Sequence, residues 1–103
     1  MGIDVAWIDA LGEIQQEVGD SHEVVSRLSF RWSKLTNTVC LRFVVPWGDA
    51  VFNQAQMAEL LTELRSEAAG QASPQFREHL EKIIELVENA SAHTHAYVKF
   101  IGD

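Results

Sequence analysis

Apolar residues recur along this chain with two different periods, and the changes between them mark where strands give way to helices. From Ile3 to Ile8 the chain alternates, with Ile3, Val5 and Trp7 on one side and Asp4, Ala6 and Ile8 on the other. Asp9-Ala10-Leu11-Gly12 then carries turn chemistry, Gly12 suiting a left-handed position, and Glu13 to Val18 returns. Residues 3–18 are therefore expected to form a β-hairpin. The same segment admits an alternative, because Ile3, Trp7, Leu11, Ile14 and Val18 also fall on one face of a helix. A mid-helix Gly12 would cost about 1 kcal/mol relative to Ala, and no cap precedes Ile3.

Gly19-Asp20-Ser21 breaks the pattern, and Asp20 or Ser21 can cap a short helix with a stripe of Val24, Val25, Leu28 and Trp32. From Thr36 to Val45 the period returns to two: Val39, Leu41, Phe43 and Val45 on one face, Cys40, Arg42 and Val44 on the other. Apolar residues on both faces predict a central strand, ended by Pro46-Trp47-Gly48-Asp49. Asn53 caps a helix whose stripe is Met57, Leu60, Leu61, Leu64 and Ala68, closed by Gly70. Ser73 and Pro74 open the next, with Phe76, Leu80, Ile83, Ile84 and Val87 as its stripe. The short connection predicts an antiparallel αα-hairpin, and Thr94 to Ile101 reads as a closing strand. The expected fold is α+β: a small, mostly antiparallel sheet backed by an αα-hairpin, in the order ββαβααβ. An N-terminal helix would change this to an αββααβ-like order. A length of 103 residues suits a single α+β domain over 1–103.

An apolar fraction of 47% and a charged fraction of 22% belong to an ordinary globular protein, which excludes general disorder. The one cysteine, Cys40, lies in an apolar run and is expected to be a small buried thiol. Asp4 and Asp9 interrupt any secretory signal, and no apolar run is long enough to cross a bilayer, so a cytoplasmic location and no membrane partner are expected.

The net charge of −7 works against nucleic-acid binding, which needs a basic surface. Its distribution is uneven. Between Glu23 and Asp49 there is no acid, while Arg27, Arg31, Lys34 and Arg42 are basic; the remainder holds four basic residues and all fifteen acids. Packing of the basic stretch beside acidic helices of the same molecule accounts for this most simply.

Several residue groups carry candidate chemistry. Glu59, Glu63 and Glu67 recur every fourth residue, and Glu78, Glu81, Glu85 and Glu88 do much the same on the next helix, all opposite the apolar stripes. They read as a solvated surface first and an acidic binding ridge second. Phe30-Arg31-Trp32-Ser33-Lys34 interleaves aromatic and basic residues but is short for a nucleic-acid site. Trp47 and Asp49 sit in a Pro-Gly turn, where an exposed aromatic makes a good partner anchor. His93-Thr94-His95 has a spacing that can bind a transition metal, but no third ligand is visible, so neither metal nor cofactor is expected. Phosphate-loop, nucleophile-elbow, Cys-x-x-Cys and His-Glu-x-x-His motifs are absent, which favours a non-enzyme.

The functional expectation is a small acidic protein-binding domain: an inhibitor, or an immunity- or antitoxin-like partner, of a protein with a basic surface, with self-association as a variant. Its contacts are expected at Trp47, Asp49, Glu59, Glu63, Glu67, Glu81, Glu85 and Glu88. Two alternatives stand beside it. One is a small-molecule-binding domain or small enzyme with a cleft near Trp47, Asp49, Tyr97 and the histidine pair. The other is a nucleic-acid accessory protein acting through residues 27–34.

Overall fold

The structure, a computed structural model, describes residues 2–102. The expected hairpin is present, as β1 (Asp4–Ile8) and β2 (Ile14–Val18). Gly12 has φ 84°, and the Asp9 carboxylate accepts the backbone N–H groups of Leu11 and Glu13, both at 2.9 Å. A side chain at position 12 would be strained there, whereas glycine is not. The N-terminal helix is not adopted.

α1 (Val24–Trp32) buries the expected stripe of Val24, Val25, Leu28 and Trp32. Its first turn is satisfied by Asp20, whose carboxylate accepts from Val25 N–H at 2.8 Å and Ser26 N–H at 3.0 Å. The same carboxylate accepts from Ile3 N–H at 2.8 Å, so one side chain ties the start of the chain to α1.

The central strand expected over 36–45 does not form. Residues 33–49 run as an irregular loop with one 3₁₀ turn at Leu41–Phe43. Burial here does not follow the alternation: Cys40, Leu41 and Val44 are inside, while Val39 and Phe43 are exposed. The physical reason lies on a distant helix. The Glu63 carboxylate accepts the N–H groups of Val39 (2.7 Å), Cys40 (3.2 Å) and Leu41 (2.9 Å), donors a sheet neighbour would otherwise have taken. The strand between α1 and the helical hairpin is instead the three-residue β3 (Ala50–Phe52).

Asn53 caps as expected, exchanging hydrogen bonds with Gln56 across a 3₁₀ turn that leads into α2 (Met57–Ala69). Ser73 caps α3 (Pro74–Ser91), with Pro74 in its first turn. β4 (Tyr97–Ile101) closes the sheet, whose order is β2-β1-β4-β3 with every pair antiparallel. α2 and α3 pack together, and α3 lies across β1, β2 and β4. Core side chains from the sheet are Val5, Val98, Phe100, Ala50 and Phe52, with Trp7 and Val18 partly buried beside them. They meet Leu60, Leu64, Leu80, Ile83, Leu86 and Val87 from the helices. No helix is long and apolar enough to cross a membrane among the described residues.

Candidate functional site

A strand shows its two faces alternately, and directly paired residues share a face, so the register identifies what the helices leave uncovered. Val5 pairs with Phe100 and Val18, Trp7 with Val98, and Phe52 with Val98, all toward the core. The opposite face carries Asp4, Ala6, Ile8, Tyr97, Lys99, Ile101, Val51 and Glu17. A bulge adds one more residue. Trp7 pairs with Gln16 but Ile8 pairs with Ile14, so Gln15 is the extra residue and Ile14 joins Ile8 on the open face. Ile14 and Val51 are both more than half exposed.

The Trp47 loop reaches the corner of this face where β4 ends. Gly48 lies so close to Gly102 that a Cβ at position 102 would stand 2.2 Å from the Gly48 carbonyl oxygen. Asp49 accepts from Gly102 N–H at 3.1 Å, and its other oxygen is 3.5 Å from the Lys99 ammonium on the open face. These contacts pin the loop while Trp47 itself stays 71% exposed. Of the sequence-derived candidates, Trp47 and Asp49 are thus brought together at a sheet corner.

The acidic residues divide. Glu63 is used inside the molecule, as described. Glu67 accepts from the Trp32 indole N–H at 2.6 Å and pairs with Arg31, leaving its side chain 14% exposed. Glu88 pairs with Arg65 at 2.6 Å on the surface. Glu59, Glu81 and Glu85 are exposed, but Arg65, Arg77 and Glu81 line one groove between α2 and α3, so the ridge is not uniformly acidic.

The histidines lie elsewhere. His93 packs against Trp7 with ring centroids 4.7 Å apart and planes tilted by 41°, and its Nδ1 lies 2.9 Å from the Asn89 carbonyl oxygen. Trp7 is at the Tyr97 end of β4, opposite the end that holds Asp49. The cleft proposed to join Trp47, Asp49, Tyr97 and the histidine pair is therefore not formed. No group of three or more His, Cys, Asp or Glu comes together as metal ligands among the described residues.

Sequence reasoning missed one buried pair. His79, 5% exposed, places Nε2 3.4 Å from Asp20 Oδ1, without a hydrogen bond to satisfy that nitrogen. Burial works to raise the Asp20 pKa; His79 and the amides of Ile3, Val25 and Ser26 outweigh it, holding the carboxyl below its usual 3.8. His79 and His22 line a small polar cavity with Ser21, Gln75, Glu78 and Lys82. His79 falls one residue before the apolar Leu80 in α3, and that inward position was the available signal. Cys40 is buried as expected; burial, with smaller contributions from Glu63 and Glu59, pushes its pKa up to about 11.

No protein-family model, curated protein or solved structure matches this chain.

Proposed function

We propose that this chain is a small acidic protein-binding domain whose contact surface is the open face of its sheet, with Trp47 as the anchor at one corner. The exposure of Trp47 carries the reading. A large aromatic held out by a loop that is itself pinned at Gly102 and Lys99 loses little freedom on binding, and such residues commonly supply the greatest share of interface energy.

The chemistry of the face selects the partner. Its middle row is Glu17, Ala6, Lys99 and Val51, with Ala6 fully covered by its neighbours. Ile8, Ile14 and Tyr97 form an apolar row at the end away from Trp47, next to the turn that holds Asp9 and Glu13, and Asp4 and Asp49 lie toward the other end. Five carboxylates thus stand on or beside the face against the single ammonium of Lys99. An apolar surface flanked by lysine or arginine complements this arrangement, and the overall charge of −7 speeds its approach. Inhibition of a basic protein, in the manner of an immunity or antitoxin partner, is the biological role consistent with that chemistry. Glu59, Glu81 and Glu85 contribute to long-range attraction from the helical side rather than to the contact itself. Glu63 and Glu67 belong to the fold.

Capture from native cell extract tests the reading. Trp47→Ala and Val51→Lys should each abolish retention of a basic protein, about 2 kcal/mol or more at the anchor, while the protein stays folded. Glu81→Lys with Glu85→Lys should retain it with slower association. Retention by Trp47→Ala together with loss in the helix variant would move the interface to the helices and overturn the proposal.

A further inference from the structure

We infer that a second copy of this chain covers the open sheet face, presenting the basic surface built by α1 and the loop that follows it. This rests on the reading of the sheet face as a contact surface; the basic surface that meets it is then a patch of this chain itself, although the chain as a whole carries −7. Arg27, Phe30 and Arg31 are exposed on one side of α1, and Lys34 continues that side in the turn beyond the helix. Glu63 and Glu67, one helical turn apart on α2, hold the 39–41 loop and the end of α1 next to one another. Arg42 and Phe43 are thereby added to the same surface, with the Arg42 guanidinium 4.9 Å from the Phe43 ring centroid. Phe30 is 58% and Phe43 56% exposed, and Val39, in the same loop as Phe43, is half exposed.

The molecule therefore has two uncovered apolar surfaces of opposite charge. One has five carboxylates and one ammonium on or beside it. The other carries four cations, of which Arg31 alone is ion-paired within 4 Å to a carboxylate of a described residue; that carboxylate, Glu67, is 14% exposed, and the nearby Glu63 carboxylate is taken up by the amides of Val39, Cys40 and Leu41. Two sheet faces brought together would set carboxylates against carboxylates, and two basic surfaces would repel in the same way. Head-to-tail contact avoids both and covers both apolar areas at once. Because the two surfaces differ, repetition of the contact gives a ring or an open chain rather than a closed pair.

Size-exclusion chromatography with light scattering on the full chain tests this. At low salt the mass should rise with concentration above the 11.6 kDa of one chain, and high salt should return it to the monomer. Arg42→Glu with Phe43→Ser removes the basic surface; Trp47→Ala with Val51→Glu removes the sheet face. Each variant should weaken self-association about tenfold or more, yet an equimolar mixture should form one-to-one dimers, since each retains the surface the other lacks. Circular dichroism identifies any variant that fails to fold, and Lys34→Glu with Ile14→Lys then repeats the pair. A chain that stays monomeric at every concentration in low salt overturns the inference, as does a mixture that forms no dimer. Binding of anionic vesicles or a single-stranded oligonucleotide by the basic surface, without self-association, also overturns it. If the chain is monomeric while Trp47 still captures a basic protein, the inference fails and the interaction reading stands.

Discussion

Burial works to raise the pKa of both Cys40 and Asp20, but it prevails only at Cys40. The Cys40 thiol has no partner for its charged form, so burial raises its pKa from 9.0 to about 11. An acid with a raised folded pKa contributes stability fully below its unfolded value and loses it as pH rises toward the folded one. The expected outcome is a thiol inert to Ellman's reagent at neutral pH, labelled only after denaturation, with stability falling above about pH 9. Labelling of the native protein within minutes would show the site to be open. Asp20 is buried too, but His79 and three amides favour its ionised form and hold its pKa below 3.8. Its contribution is therefore present above the unfolded pKa and lost as pH falls through the folded one. Thermal melts of wild type and Asp20→Asn from about pH 6 to pH 2 should converge at the acidic end. A constant gap would mean that the carboxylate charge plays no part.

The loop at 36–45 is where pattern and structure part, and Glu63 explains why. Its three N–H···O bonds hold Val39, Cys40 and Leu41 to α2. Glu63→Ala should remove about 2–3 kcal/mol and lower Tm by roughly 10 °C, measured by circular dichroism, whereas Glu59→Ala should change it little. Equal, small effects would place the loop's stability in Leu41 and Val44 alone. Such a tie is invisible in the sequence because it joins residues more than twenty apart through one side chain. The helices were legible because their signals are local: Asn53 with Gln56, Ser73 with Pro74, and stripes that continue for several turns. The hairpin was legible through Asp9 and Gly12. β3, at three residues, is too short to show a period, and the bulge that turns Ile14 outward leaves no mark in the sequence. Of the candidate contact residues, Trp47 is exposed, as its turn context suggests. Glu63 and Glu67 were misjudged because a carboxylate opposite an apolar stripe reads the same whether it faces water or another part of the chain.

On the scale of the whole molecule, α1, α2 and α3 gather on one side of the sheet and leave the other side bare, with Trp47 at its corner. Trp47 has no role in the core, so Trp47→Ala should leave Tm within a few degrees of wild type while removing binding. Site-specific photocrosslinking in the native cell tests the contact most directly. A benzophenone amino acid is placed at position 47 in one chain and at position 85, on the far side of α3, in another. One discrete adduct is expected from position 47, with the crosslinked peptide rich in lysine or arginine, and none from position 85. Adducts from position 85 alone, or none from position 47, would contradict the contact at Trp47.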